Sequence, residues 1–132
     1  MSINDEWNMV KEFHIAANHP TSDRPIFLPK KRLMRRIKWM LEEIDELKDA
    51  SNIYEQVDAL IDLIYFALGT LVEMGVPPKD FFKIVHQTNM QKIKPDSKVI
   101  TGKDGKILKP KDWVGPQEEI KRLIDTLSKK NI

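Results

Sequence analysis

Two short acidic segments place carboxylates at helical spacing in this chain of 132 residues. The first segment contains Glu42, Glu43 and Glu46, and the second contains Asp58 and Asp62. On an α-helix, residues three or four positions apart lie on the same side, with Cβ atoms roughly 5–6 Å apart. Like charges at this spacing repel, whereas a hard divalent cation takes oxygen ligands and removes the repulsion. The spacing therefore predicts a metal-carboxylate site between two helices.

The surroundings of the second segment strengthen this interpretation. Asp58 and Asp62 are almost the only charges in the apolar run of residues 57–72, where a charged side chain is rarely left unpaired. A linker of only four residues, 49–52, separates the two segments and favours antiparallel helices that face each other. The ordinary alternative is an acidic helix face exposed to water, which is common in amphipathic helices.

The composition limits the class of protein. Lysine and arginine total 22, aspartate and glutamate total 20, and the net charge of +2 does not argue for nucleic-acid binding. The absence of cysteine excludes disulfides and thiolate metal sites and favours a reducing compartment. Residues 1–6 lack the features of a signal peptide, and no apolar run reaches the ~18 residues of a membrane span. We expect a single cytoplasmic domain, residues 1–132, with no membrane partner.

Hydrophobic periodicity predicts an all-α antiparallel bundle of four to five helices. The predicted helices cover residues 4–17, 30–49, 53–73, 79–91 and 117–128. Asn4 or Asp5 is the expected cap of the first helix, and Ser51 or Asn52 that of the third. Gly75 is the expected left-handed residue after the third helix. That helix is apolar around most of its circumference, so it is either central in the bundle or buried by a second subunit. A dimer is therefore expected.

The helical signal stops after the fourth predicted helix. Residues 99–101 and 106–108 flank a Gly-Lys-Asp-Gly turn, which predicts a small hairpin. The organisation is thus a helical core of about 4–92, an arm over 94–116 and a C-terminal helix over 117–128. The arm is expected to pack on the helices, because an isolated hairpin is only marginally stable.

The first half of the second predicted helix is strongly basic. Its cationic residues are Lys30, Lys31, Arg32, Arg35, Arg36 and Lys38. Positive charge at the start of a helix opposes the macrodipole, so these residues do not stabilise the helix itself. A phosphate-rich ligand is one explanation for their presence, and ordinary solubility is another. Nucleic-acid binding through residues 30–38 is a further alternative.

Five segments in the same order resemble one known family. They are Val10-Lys11-Glu12-Phe13-His14-x-Ala16, Leu41-Glu42-Glu43-x-x-Glu46-Leu47, Asp58-x-Leu60-x-Asp62-Leu63-x-Tyr65, Val85-His86-x-x-Asn89-Met90-x-Lys92, and Asp104-Gly105-Lys106 with Lys109-Pro110-x-x-Trp113-x-x-Pro116. Over residues 7–116 the chain is similar to the all-α nucleoside triphosphate pyrophosphohydrolases of the MazG-like and phosphoribosyl-ATP pyrophosphohydrolase-like superfamily.

The resemblance implies Mg²⁺-dependent cleavage of an NTP or dNTP to the monophosphate and pyrophosphate, with Mn²⁺ as the alternative cation. The expected assembly is a homodimer or a dimer of dimers. Glu42 is the expected base, although a ligand role for it is equally open. The expected metal ligands are Glu43, Glu46, Asp58 and Asp62. The expected substrate-binding residues are Lys38, Asn89, Lys92, Lys109 and Trp113, the last either stacking on the base or anchoring the arm.

The chain departs from the family pattern at the second acidic pair. That pair is usually Glu-x-x-Asp, but the position three residues before Asp62 is Ala59. Glu55 and Asp58 have the usual spacing, although the spacer before them is then short. We favour Asp58 and Asp62, with Glu55 as the alternative fourth ligand. The base and sugar of the substrate stay open. The alternative function is a non-catalytic, dimeric helical interaction module.

Overall fold

The computed structural model describes residues 1–93 and 99–130, with only the backbone of residue 130. The described residues form five α-helices and no strand: α1 (Ile3–Ala16), α2 (Lys30–Asp49), α3 (Ile53–Met74), α4 (Lys79–Met90) and α5 (Gln117–Lys130). The all-α prediction is confirmed, and the predicted bounds of the helices differ from the observed ones by two residues at most. Residues 94–98, the beginning of the predicted arm, lie outside the described residues.

Local capping explains where the helices begin and end. The Ser2 hydroxyl accepts a hydrogen bond from the Asn4 N–H at 3.3 Å, and the Asp5 carboxylate accepts one from the Ser2 N–H at 2.9 Å. The prediction of Asn4 or Asp5 as the cap was therefore wrong, because this reciprocal pair starts α1 at Ile3. α3 is capped as predicted, since the Asn52 side chain accepts from the Glu55 N–H at 2.9 Å.

The chain divides into two compact units, Met1–Pro78 and Lys79–Lys130. In the first unit, α2 and α3 are antiparallel neighbours joined by residues 50–52. Arg32 near the start of α2 contacts Glu73 near the end of α3, whereas Glu43 further along α2 lies near Asp62 earlier on α3. The acidic segments of the two helices are consequently brought face to face.

The buried core of the first unit forms between α1 and the second half of α3. Trp7 and Val10 of α1 pack in one cluster with Leu68 and Val72 of α3. The chain leaves α3 through Gly75, whose φ of 71° is left-handed as predicted. The loop between α1 and α2 packs along this end of the unit, because the Ile26 N–H donates to the Met74 carbonyl at 2.9 Å.

The first half of α3 is far more exposed than its apolar sequence suggests. Of residues 53–67, only Ala59 is buried within the unit. The large apolar side chains exposed along this half include Ile53, Tyr54, Val57, Leu60, Ile61 and Ile64. Within this chain α3 is therefore central only over its C-terminal part, and burial of the rest by a second subunit stays a prediction.

In the second unit, α4 packs against α5, and the hairpin lies in the chain between them. A single antiparallel bridge joins Thr101 to Ile107, and the Gly102 N–H donates to the Lys106 carbonyl at 2.7 Å. The turn closes at Gly105, whose φ of 85° is unfavourable for a residue with a side chain. The hairpin is thus present where predicted, but its pairing is too short to form two strands.

Within the described residues, no single helix has both the length and the apolar character of a membrane span. Among these residues, α3 and α4 meet both criteria only when the two helices are counted together as one broken segment.

Candidate active site

Three carboxylates from α2 and α3 converge in the first unit. Ligand oxygens of Glu43, Glu46 and Asp62 all lie within 4.8 Å of one another. Glu43 and Glu46 are three residues apart on α2 and so share one side of that helix. Asp62 reaches the same point from α3, because the two helices run antiparallel. The geometry therefore assembles three of the four predicted metal ligands.

The environment of this cluster disfavours three negative charges. Glu43 Oε2 is buried and has no hydrogen-bond partner among the described residues. Burial, followed by the nearby carboxylates of Glu46, Asp62 and Asp58, raises the pKa of Glu43 to about 7. Burial, followed by Asp58 and Glu46, also raises the pKa of Asp62. Either a proton or a cation must compensate the charge that these side chains carry when ionised.

The donor set fits a hard divalent cation. All three donors are carboxylate oxygens, which Mg²⁺ prefers, and Mg²⁺ holds its ligands at ~2.0–2.1 Å. Two ligands on one such ion are at most ~4.2 Å apart, so small side-chain rotations bring the three oxygens into range. Because Glu46 is exposed, the cluster is open to solvent at this residue. This arrangement leaves room for water and for phosphate oxygens.

An acidic groove extends from the cluster toward the linker between α2 and α3. Its volume is about 370 Å³, and it is lined by Asp45, Glu46, Asp49, Glu55 and Asp58. No role was assigned to Asp45 or Asp49 from the sequence, although their spacing of four residues places both on one side of α2. An anionic ligand can enter this groove only with cations that offset its charge.

The two candidates for the fourth ligand, Glu55 and Asp58, lie in different environments. Glu55 is engaged at the start of α3, where its carboxylate accepts from the Ser51 N–H at 3.0 Å and the Asn52 side-chain amide at 3.1 Å. Asp58 is exposed and close enough for its charge to raise the pKa of both Glu43 and Asp62. Ala59 is buried in the unit and offers no carboxylate at the position where the family pattern has a glutamate. Glu42 is exposed, and its role as base stays a prediction.

The predicted substrate-binding residues fall in both units. Lys38 is exposed on α2, and Asn89 is exposed near the end of α4. In the second unit, the ammonium groups of Lys92 and Lys109 lie 4.9 and 5.2 Å from the centre of the Trp113 ring. The Trp113 indole N–H donates to the Thr88 carbonyl at 2.6 Å. The ring is therefore anchored to α4, and substrate contact by these residues stays a prediction.

A buried charge network at the opposite end of the α2–α3 pair was not foreseen from the sequence. The Glu73 carboxylate is fully buried and accepts two hydrogen bonds from the Arg32 guanidinium, at 2.8 and 2.9 Å. Arg36, also buried, lies 3.1 Å from Glu73 and donates to the Phe66 carbonyl at 2.8 Å. These contacts explain part of the basic start of α2, for which the sequence had suggested a phosphate-rich ligand, solubility or nucleic-acid binding.

His14 of α1 completes this network. Its Nδ1 donates to the Pro20 carbonyl at 3.0 Å and lies 3.9 Å from the Glu73 carboxylate. Burial lowers the pKa of His14, and the nearby positive charge of Arg36 lowers it further. A metal ion is disfavoured here, because two arginines already neutralise Glu73. The sequence signal that could have drawn attention to this network is Glu73 itself, a single charge at the end of the apolar run, although it does not identify the partners.

Five helices and a partly buried carboxylate cluster define an all-α protein with a candidate metal centre. The chain belongs to the phosphoribosyl-ATP pyrophosphohydrolase family, whose model matches residues 10–89, more than half of its length. This family is part of the MazG-like all-α nucleoside triphosphate pyrophosphohydrolase superfamily, as the sequence motifs implied. Membership makes the chain a pyrophosphohydrolase that acts on a nucleotide. A comparison with curated proteins found no match.

Proposed function

We propose that this protein is a Mg²⁺-dependent pyrophosphohydrolase that cleaves an NTP or dNTP to the monophosphate and pyrophosphate. The observation that carries the proposal is the convergence of Glu43, Glu46 and Asp62 in a member of this family. A buried carboxylate oxygen without a hydrogen-bond partner is costly unless a proton or a cation compensates it. Mg²⁺ is the preferred cation because every donor is an oxygen, and Mn²⁺ is the alternative.

Each acidic residue has a defined part in this reaction. Glu43, Glu46 and Asp62 hold the cation, and Asp58 is the fourth ligand because Glu55 is engaged in capping α3. A divalent cation held by these residues would neutralise phosphate charge and lower the pKa of a water molecule bound to it. Glu42 is the base that takes a proton from the attacking water, which adds to the α-phosphorus while pyrophosphate leaves. Lys38 offers a positive charge to the leaving phosphates from the same helix.

The exposed face of α3 supports a homodimer as part of this proposal. The apolar stripe of Val57, Ile61 and Ile64 repeats at helical spacing and is exposed in the single chain. Exposed apolar stripes of this kind commonly mark contacts between proteins. We expect Ile61→Lys to convert a dimer into a monomer in light scattering after size exclusion. A wild-type protein that is already monomeric would contradict the dimer.

The activity is tested by screening NTPs and dNTPs for pyrophosphate release, with and without Mg²⁺. We expect Glu46→Gln to lose at least a hundredfold in kcat/KM, because a neutral amide holds the cation poorly. Glu12→Gln is the matched control, since Glu12 is exposed on α1 and apart from the cluster. Full activity of Glu46→Gln would refute the ligand assignment. If no nucleotide yields pyrophosphate and Mg²⁺ does not raise the Tm, the non-catalytic interaction module would be favoured.

The single-domain organisation and the cytoplasmic location remain predictions from the sequence.

A further inference from the structure

Two lysines in the second unit lie on the same tryptophan ring. The ammonium nitrogen of Lys92 is 4.9 Å from the centre of the Trp113 ring, and that of Lys109 is 5.2 Å from it. The two ammonium groups are therefore within about 10 Å of each other. Lys92 comes from the turn after α4, and Lys109 comes from the end of the hairpin. Two separate parts of the chain thus bring positive charge to the same indole ring.

The ring itself is held firmly. Its indole N–H donates to the Thr88 carbonyl at 2.6 Å, and Thr88 is only 3 % exposed on α4. The face of a tryptophan ring attracts a cation, weakly at exposed sites. That attraction orients each ammonium group without neutralising its charge. Within residues 1–93 and 99–130, neither Lys92 nor Lys109 forms an ion pair with a carboxylate.

We propose that Trp113 is a positioning residue whose ring holds Lys92 and Lys109 together as a receptor for an oligophosphate anion. Two like charges that converge without a carboxylate are stabilised when a multivalent anion binds between them. Lysine suits this task because its ammonium group is a compact charge with three rotatable donors. The ring acts through the lysines and not by stacking on a base. The choice of oligophosphate as the anion rests on the proposed function, whereas the convergence of the two lysines does not.

The experiment measures binding of tripolyphosphate to the full chain by calorimetry, without any divalent cation. We expect Lys92→Gln and Lys109→Gln each to weaken binding about tenfold, and the wild-type affinity to fall as salt is raised. Lys103→Gln is the matched control, because Lys103 is exposed in the turn of the same hairpin. It should bind like the wild type. Wild-type affinity in both lysine variants would overturn the proposal, and so would an absence of tripolyphosphate binding.

Two variants of Trp113 separate positioning from simple anchoring. Trp113→Leu removes the aromatic face and should weaken binding about tenfold, whereas Trp113→Phe keeps a face and should stay within threefold of the wild type. If anchoring to Thr88 were the only role, both variants would lose binding alike, because both lack the indole N–H. That result would overturn the positioning role.

A spectroscopic measurement covers the case in which Trp113→Leu does not fold. In the wild-type chain, ring currents should shift the side-chain methylene protons of Lys92 and Lys109 upfield in NMR spectra. Ordinary shifts for both lysines would contradict the proposed geometry. Tripolyphosphate binding without pyrophosphate release from any nucleotide would instead refute the proposed function and leave the anion receptor standing.

Discussion

The affinity of the acidic cluster for a divalent cation should depend steeply on pH near neutrality. The pKa of Glu43 is raised to about 7, first by burial and then by Glu46, Asp62 and Asp58. A cation binds the ionised carboxylate and competes with the proton. With a pKa of about 7, the ionised fraction of Glu43 falls from about nine-tenths at pH 8 to about one-tenth at pH 6. We therefore expect Mg²⁺ or Mn²⁺ to bind about tenfold more weakly at pH 6 than at pH 8.

The same pKa shift sets the pH dependence of stability in the metal-free protein. The folded-state pKa of Glu43 lies above the ordinary value of 4.5, so the protonated group favours the folded state. That contribution is fully present below pH 4.5 and is lost as the pH rises through about 7. The shift corresponds to at most about 3 kcal/mol, and solvent screening of this partly exposed group reduces it to about 1–2 kcal/mol. Saturating Mg²⁺ should restore the lost stability.

Isothermal titration calorimetry with Mn²⁺ at pH 6, 7 and 8 measures the first effect, and urea unfolding with EDTA measures the second. Glu43→Gln is the decisive control, because its amide does not titrate in this range. It should bind the cation more weakly than the wild type at pH 8 and show little change between pH 6 and 8. Equal wild-type affinity at pH 6 and pH 8 would refute this reasoning. A Glu43→Gln variant that kept the tenfold pH dependence would assign the titration to another group.

The remaining predictions concern stability. Glu73→Gln should lower the free energy of unfolding by about 3–5 kcal/mol in urea titrations, because it leaves buried Arg36 without its counter-charge; a loss below about 1 kcal/mol would contradict this account. Gly69→Ala should lower the free energy of unfolding by about 1–3 kcal/mol. The added methyl group would collide with the Arg36 guanidinium and come within 2.9 Å of His14 Nε2. An unchanged Tm would show that Arg36 can move aside. Ser2→Ala should lower the free energy of unfolding by about 1 kcal/mol, because the cap of α1 is lost. Equal unfolding midpoints for this variant and the wild type would mean that α1 starts elsewhere.

Local sequence signals were sufficient to predict the helices. α2 starts at Lys30 after Pro29 and ends at Asp49, both as predicted. The start and end of α3 followed from Asn52 and Gly75, because a capping side chain and a left-handed glycine act within one turn of the helix. The same logic placed the α1 cap wrongly, since Ser2, Asn4 and Asp5 are all good capping residues. Only the observed hydrogen bonds distinguish between them.

The acidic site was only partly predictable. Helical spacing alone places Glu43 beside Glu46, but which residue of α3 meets them depends on how α3 is rotated about its axis. Asp58, Asp62 and Glu55 are all compatible with the sequence pattern, and packing selects Asp62 for the cluster while Glu55 turns to the linker. The buried Glu73 network joins residues 41 positions apart, and no local pattern reports a contact at that separation.

The distribution of charge along α2 connects the two ends of the α2–α3 pair. α2 is basic in its first half and acidic in its second, which is the reverse of what the helix macrodipole favours. At the basic end, α3 supplies Glu73, so Arg32 and Arg36 share one counter-charge inside the protein. At the acidic end, α3 supplies Asp62, so negative charge is added to negative charge. The first end fixes the register of the two helices with internal partners, whereas at the second only a proton or a cation from outside can offset the charge. Because the buried contacts of Glu73 hold the two helices in register, a proton or a cation can be taken up or lost at the acidic end while the basic end keeps the helices in place.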